Sequence, residues 1–362
     1  MSGTSMDAID VALVQIDDKS LSLVEYEQFP IDDDIRKAVR QLSITSNIEE
    51  ISRLDNILGH LFADSVLKIL KKANLKSQDI TAIGSHGQTI LHLPYAEPPR
   101  TLQIGDANII AFKTGITTVA DFRRMDIAAG GRGAPLAPAF HVDQFSSDTK
   151  HRVILNLGGM ANITVLPKNN RDKIIGFDTG PGNALLDDWA QQHLGQPFDK
   201  NGLWAESGRV NEALLIACLN DPYFDTPPPK STGRDYFNTA WLNNILSGQQ
   251  ASISPVDTQA TLLKLTVTTI SRAIKKHADK TNELLVCGGG IHNPLLIKSL
   301  QNELTGIEIN STNKYGLNAD CIEAVAFAWL AKCRMDGTAA SFPSVTGATS
   351  PQILGAIYCP SK

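Results

Sequence analysis

The chain has 362 residues, 42% of them hydrophobic and 20% charged, with a net charge of −5 and no lysine or arginine run. That length favours two domains or one large one, and the balance is that of an ordinary soluble globular protein with ample core. The acid excess argues against a nucleic-acid surface, no apolar run reaches the ~18 residues of a membrane span, and no secretory leader is legible.

In chain order, Met1 to Asp7 reads as a turn and Ala8 to Val14 as a strand. Residues 33–43 and 47–75 read as helices; Ile51, Leu54, Leu58, Leu61 and Phe62 keep a helical spacing. A strand at 80–84 ends at Ser85-His86-Gly87-Gln88. Residues 101–114 give a strand and a helix, 116–120 a strand, and 121–138 a long Gly/Pro/Arg loop. A second cycle starts at Val153 with two strands and a helix at 183–194. Polar and proline-rich loops are predicted across 195–235, a helix over 257–278, and a strand over 283–287. Helices follow at 294–304 and 318–335, with a helical or extended tail at 351–358. Strands alternate with helices, which argues for an α/β fold. Strand and glycine turn recur near residues 1 and 153, which suggests a duplicated fold with a cleft between its halves.

The densest chemical signal runs from Val153 to Trp189. The strand-like run VILNL ends in Gly158-Gly159, and IIGFDT ends in Gly180-Pro181-Gly182. A glycine turn after a strand lets backbone N–H groups approach a phosphate. Asp178, followed by Thr179, lies between the two turns. A carboxylate beside an anion site is hard to justify by stability, so Asp178 is the candidate catalytic group. Asn156 and Asn162 flank the first turn and add amide donors; a tight hairpin is the plainer reading of that segment. Gly288-Gly289-Gly290 follows a strand and opens a helix, which suits a flat ring or ribose but equally a flexible connection. It is neither G-x-G-x-x-G nor G-x-x-x-x-G-K-[ST].

Asp121-Phe122-Arg123-Arg124-Met125-Asp126 ends a strand. Arginine there can grip a carboxylate or phosphate, or simply pair with a neighbouring aspartate. His86, Gln88 and His92 form a polar cluster without a metal-ligand pattern, so substrate contact is the reading preferred. Glu323 starts a helix among small apolar residues. It either faces solvent at a helix N-terminus or points into a cleft. The cysteines Cys218, Cys287, Cys321, Cys333 and Cys359 are scattered. They suit buried thiols of a reducing cytoplasm and show no zinc spacing.

Ordered segments extend these motifs along nearly the whole chain: MSGTSMDAID, GSHGQTILHLP, LQIGDANIIA, VADFRRMDIAAGGRGAPLAPAFH, VILNLGGMANIT, GFDTGPGNALLD, PPPKSTGRDYF and VCGGGIHNPLL. Together they resemble the anhydro-N-acetylmuramic acid kinases, a branch of the sugar-kinase/Hsp70/actin superfamily. The resemblance implies a two-lobed, duplicated ribonuclease-H-like (actin-like ATPase) fold with a central cleft. The lobes expected are 1–125 with about 340–362, and 126–339. It implies ATP and magnesium as cofactors and a homodimer, beside the cytoplasmic location and the lack of a nucleic-acid or membrane partner expected from the cysteines, charge and hydropathy.

By the same resemblance, water opens the anhydro bridge of 1,6-anhydro-N-acetylmuramic acid while the sugar is phosphorylated. The product is N-acetylmuramic acid 6-phosphate, in peptidoglycan recycling. Asp178 matches the family's base, and Gly3, Thr4, Ser5, Met6, Asp7, Ala8, Ile9 and Asp10 match its ATP-phosphate segment. The glycine turns at Gly158, Gly159, Gly180 and Gly182, with Asn156 and Asn162, complete the ATP site expected, together with Gly288, Gly289 and Gly290. Arg123, Thr179, Glu323, His86 and Gln88 are the candidate substrate contacts. Two departures stand out. Members of the family carry a short strand before M-S-G-T-S, where this chain begins. Ala8 also replaces their glycine, which would be strained if the backbone there were left-handed. An ordinary hexose or N-acetylhexosamine kinase of the same fold is the alternative enzyme. A nucleotide-dependent scaffold is the alternative of another class.

Overall fold

A computed structural model of the chain describes residues 1–2, 8–17, 20–42, 47–170 and 173–360. Two compact units are present: Met1–Phe140 with Gly316–Lys362, and His141–Tyr315.

The first unit opens with β1 (Ala8–Asp17) and β2 (Ser20–Pro30), an antiparallel pair. Helices α1 (Asp33–Leu42) and α2 (Ile48–Lys72) follow. The Asn47 side chain caps α2 by accepting the Glu49 N–H; Glu49 and Glu50 start the helix and Lys71 and Lys72 end it, each matching the helix dipole. Leu54, Leu58 and Phe62 of α2 are buried with Ile9, Ile104 and Ile110. Next come β3 (Ile83–Gly84), the antiparallel pair β4 (Gln88–Leu93) and β5 (Arg100–Ile104), α3 (Ala107–Thr114) and β6 (Thr118–Ala120). β3 lies parallel to β6. The predicted loop at 121–138 contains a short helix, α4 (Arg124–Ala128), because the buried Asp126 organises it. Asp126 Oδ2 accepts the Gly133 N–H and Oδ1 accepts the Thr346 hydroxyl. Helix α5 (Ala137–Phe145) carries the chain into the second unit.

The second unit is built on β7 (Arg152–Leu157), β8 (Met160–Leu166) and β9 (Ile175–Pro181), an antiparallel meander. After α6 (Ala184–Leu194), α7 (Leu203–Ser207), α8 (Glu212–Leu219), α9 (Thr239–Ser247) and α10 (Pro255–His277), strand β10 (Glu283–Cys287) joins parallel to β7. Then α11 (Pro294–Glu303) leads to β11 (Glu308–Ser311), parallel to β10. The sheet order β11-β10-β7-β8-β9 is that of a ribonuclease-H-like sheet. The first unit repeats part of this plan: an antiparallel pair, then a helix-linked parallel pair. The chain returns to it through α12 (Ile322–Met335), α13 (Pro343–Thr346) and β12 (Ala356–Tyr358), which pairs antiparallel with β6.

Helix α10 is the centre of the second core. Ser254 caps it, Pro255 starts it, and Lys275, Lys276 and His277 close it. Leu262, Leu265, Val267 and Ile270 are buried with β7 and β8. Helices α7 and α8 occupy part of the span predicted as loop. α8 (EALLIACL) is apolar on every side and too short to show a helical period, so burial of Leu214, Leu215 and Cys218 decides it. Cys218, Cys287, Cys321 and Cys333 are buried, Cys359 is exposed, and none is in a disulfide. Among the described residues no helix is long and apolar enough to cross a membrane.

His141 is buried, its Nδ1 2.8 Å from the Thr164 hydroxyl, and burial pulls the imidazole down to about 3. Unfolded, it titrates near 6.5. The unfolded chain therefore binds the extra proton between those values, and stability falls as pH falls through that window. At roughly 1.4 kcal/mol per pH unit, about 2 kcal/mol is lost between pH 6.5 and 5. Urea unfolding across this range should show a shallower pH slope in His141→Gln than in the parent; equal slopes would rule the assignment out.

Candidate functional site

Glycine turns converge in the second unit. The carbonyl of Gly159 accepts the N–H groups of Gly182 (2.9 Å) and Ala184 (3.0 Å), and that of Gly158 accepts the Asn183 N–H (2.9 Å). The β7–β8 hairpin tip is thereby fastened to the start of α6. Thr266 of α10 donates its hydroxyl to Pro181 O and Gly182 O, fastening the second turn from the other side. Gly182 is required by space, since a β-carbon there would lie 2.4 Å from Gly158 O. Gly288 is required twice, by φ +82° and by the Asn156 Oδ1, 2.4 Å from where its β-carbon would be. Gly158 and Gly159 are different. Neither is left-handed, and added β-carbons would meet nothing nearer than 3.5 and 3.6 Å. Bare backbone at that tip is not demanded by the fold, which suits close approach of a ligand.

Asp178 sits on β9, half-buried, opposite Asn162 of β8. Its Oδ2 accepts the Thr232 N–H at 2.9 Å. Its own N–H donates to Lys230 O, and its carbonyl accepts the Tyr223 hydroxyl at 2.7 Å. Lys230 is buried, donates to Tyr223 O at 2.9 Å and lies over the Tyr223 ring. Burial lowers its pKa, with Lys276 adding to the shift. The 230–234 segment is thus locked along β9 and holds the carboxylate in one orientation. Sequence reasoning assigned no role to Lys230, Thr232 or Arg234; the signal was a Lys-Ser-Thr-Gly-Arg run inside a proline-rich loop. Thr179 is buried with its hydroxyl on Ala161 O.

A cavity of about 330 Å³ lies beside the triple glycine, lined by Ile291, Pro294, Ile297, Ile309 and the polar Asn310 and Ser311.

In the first unit Arg123 and Arg124 part company. Arg124 pairs with Asp121 at the surface, the plain reading of that motif. Arg123 turns inward: Nε and Nη2 lie 3.2 and 2.9 Å from His86 Nε2, and Nη1 donates to Gly133 O at 2.7 Å. His86 Nε2 therefore accepts, and the proton of the neutral ring sits on Nδ1. Burial, with Arg123 beside it, drives the imidazole pKa well down. Burial also lowers that of Arg123, against the opposing charges of Glu323 and Asp126. So Arg123, His86 and Glu323, in the first turn of α12, form one electrostatic group. Gln88 is buried on β4 and donates to Thr89 O.

Of the expected ATP-phosphate segment, Gly3, Thr4, Ser5, Met6 and Asp7 lie outside the described residues. Ala8 begins β1 and pairs with Pro30 of β2. Ile9 is buried in the core. Asp10 Oδ1 accepts the Tyr26 hydroxyl (2.6 Å) and the Gln28 amide (2.9 Å).

The sequence model described as anhydro-N-acetylmuramic acid kinase matches residues 1–360. An anhydro-N-acetylmuramic acid kinase of Xanthomonas campestris pv. campestris (strain 8004) is 48% identical over 364 residues, covering 99% of this chain and 96% of its own. One from Photobacterium profundum is 48% identical over 367 residues, covering 99% of this chain and 97% of its own. Among solved structures, the activator of the 2-hydroxyisocaproyl-CoA dehydratase from Clostridium difficile is 12% identical, covers 91% of this chain and 98% of its own, and has a TM-score of 0.43. Matched along almost all of its length, the chain belongs to the anhydro-N-acetylmuramic acid kinase family.

Proposed function

We propose that the chain transfers the terminal phosphoryl group of ATP to the 6-oxygen of 1,6-anhydro-N-acetylmuramic acid while water opens the anhydro bridge. The product is N-acetylmuramic acid 6-phosphate, and the setting is cytoplasmic recycling of peptidoglycan by a homodimer. The observation that carries the reading is Asp178, held by the Thr232 N–H two residues before the Gly180-Pro181-Gly182 turn.

Asp178 is the general base. It takes a proton from water as the water oxygen bonds to the anomeric carbon. The bond from that carbon to the 6-oxygen breaks, and the 6-oxygen bonds to the γ-phosphorus as ADP leaves. The phosphoryl group stands where a glycosidase would place a proton, so a second carboxylic acid is not required. The bare tip at Gly158 and Gly159 brings backbone to the phosphates, where positioning supplies most of the rate. Arg123, which donates to His86 and Gly133, is the candidate contact for an anionic or hydroxylated part of the sugar, with Glu323 as its charged neighbour. Among the described residues no three His, Cys, Asp or Glu side chains are grouped to cage a metal ion. Magnesium would be brought in on ATP, since it keeps several waters and binds largely through phosphates. When bound, it would neutralise phosphate charge.

The test is ADP release with ATP and magnesium, with and without the anhydro sugar, in labelled water. Stimulation by the anhydro sugar, with label in the anomeric hydroxyl before mutarotation scrambles it, is expected. Stimulation only by open sugars would replace this reading with an ordinary sugar kinase.

A further inference from the structure

Arg234 has no place in the reaction as described so far, yet its setting in the second unit is specific. Nη1 donates to Asp188 Oδ1 at 2.8 Å, which fixes the guanidinium against α6. Nε is buried and has no hydrogen-bond partner among the described residues, and the same holds for the hydroxyl of Thr232. Nε lies 3.6 Å, and Nη2 3.9 Å, from the position a β-carbon would take at Gly159. Gly159 is not left-handed and is not crowded. A side chain at Gly159 would sit against the Nε–Nη2 edge of Arg234, as well as against Ala184.

That edge carries two parallel N–H donors and no acceptor, the geometry that grips a phosphate or carboxylate in a bidentate manner. A buried donor without a partner is costly, so the arrangement is most stable when an anion supplies one. Thr232, two residues before Arg234, also has a buried hydroxyl without a partner, and its N–H is bonded to Asp178.

We propose that Arg234, assisted by the Thr232 hydroxyl, binds the terminal phosphate of ATP over the Gly158-Gly159 tip. This deepens the kinase reading and rests on it. The terminal phosphate is the anion of choice because the same segment holds Asp178, the base, and the phosphate being transferred must come closest to it. Asp188 is a positioning residue for the guanidinium.

The test is calorimetric titration of ATP and of ADP, with magnesium and without sugar, into the parent, Arg234→Gln, Arg234→Lys and Gly159→Ala. Arg234→Gln should weaken ATP roughly 10- to 100-fold and leave ADP within about twofold. Sugar-dependent turnover should fall by roughly 10²–10³, the range for removing one preorganised donor. Arg234→Lys should recover only part of the ATP affinity. Gly159→Ala, which covers the guanidinium edge without straining the backbone, should weaken ATP while the melting temperature holds. Equal loss for ATP and ADP would mean that Arg234 merely braces the loop, and would overturn the proposal. So would unchanged ATP binding, or a loss confined to the sugar. If Arg234→Gln fails to fold, the ATP-to-ADP affinity ratio of Arg234→Lys decides. The parent's ADP release with the anhydro sugar tests the kinase reading separately from these ratios.

Discussion

Asp178→Asn is expected to fold, to bind ATP within about threefold of the parent, and to lose turnover by roughly 10²–10⁴, the range for a positioned general base. The substitution is nearly isosteric. The amide oxygen can still accept the Thr232 N–H, and the backbone bonds from Tyr223 and to Lys230 do not involve the side chain. What disappears is basicity, because a neutral amide does not take a proton from water. Sugar-dependent ADP release, read beside calorimetric ATP affinity, checks this. Turnover within about twofold of the parent would remove Asp178 from the role of base. A parallel collapse of ATP affinity would make it a phosphate-site residue instead.

The second large effect concerns stability. Glu283 is fully buried at the start of β10, between Arg152 of β7 and Glu308 of β11 in the sheet register. Oε2 accepts Arg152 Nε at 2.7 Å and the Tyr315 hydroxyl at 2.8 Å, and Oε1 accepts Lys150 at 3.1 Å and Lys314 at 3.2 Å. Burial alone would raise its pKa, but hydrogen bonds from Tyr315, Lys150, Arg152 and Lys314 prevail and hold the carboxyl at about 2. Its stabilising charge is thus fully present above pH 4.5 and is lost as pH falls toward 2. Glu283→Gln keeps the shape but leaves Lys150 and Lys314 to Glu308 and Arg152 without a carboxylate. Breaking a buried pair from one side costs about 3–5 kcal/mol, which for a unit of this size is a melting shift of roughly 10 °C. Replacing Glu283 and Arg152 together by methionine should recover part of the loss. A shift below about 2 °C in Glu283→Gln would show the cluster to be energetically idle.

These two residues differ in how openly they announced themselves. Asp178 was legible because its neighbours are glycines, and glycine after a strand is a local, sequence-encoded statement about the backbone. Glu283 was not, because its partners at 150, 152, 308, 314 and 315 converge only when β7, β10 and β11 align. The same distinction separates α10, whose cap, proline start and basic end are written in consecutive residues, from α8, which burial decides. It also separates Arg123 from Arg124: adjacent in sequence and identical in chemistry, one reaches His86 and the other Asp121, because α4 and the loop tied down by Asp126 set their directions.

By itself the sequence determined the family, the alternation of strands and helices, the strand-delivered glycine turns and the carboxylate between them. All of these rest on residues close together in the chain, where spacing and backbone preference act directly. The tertiary structure alone decided that Gly158 and Gly159 are bare without steric need, that Thr232 holds Asp178, and that Arg234 brings a buried, unpartnered Nε to the same tip. Those facts join segments about 50 to 75 residues apart, and such contacts come from the packing of β8, β9 and α6 against the proline-rich loop, which local preference does not encode.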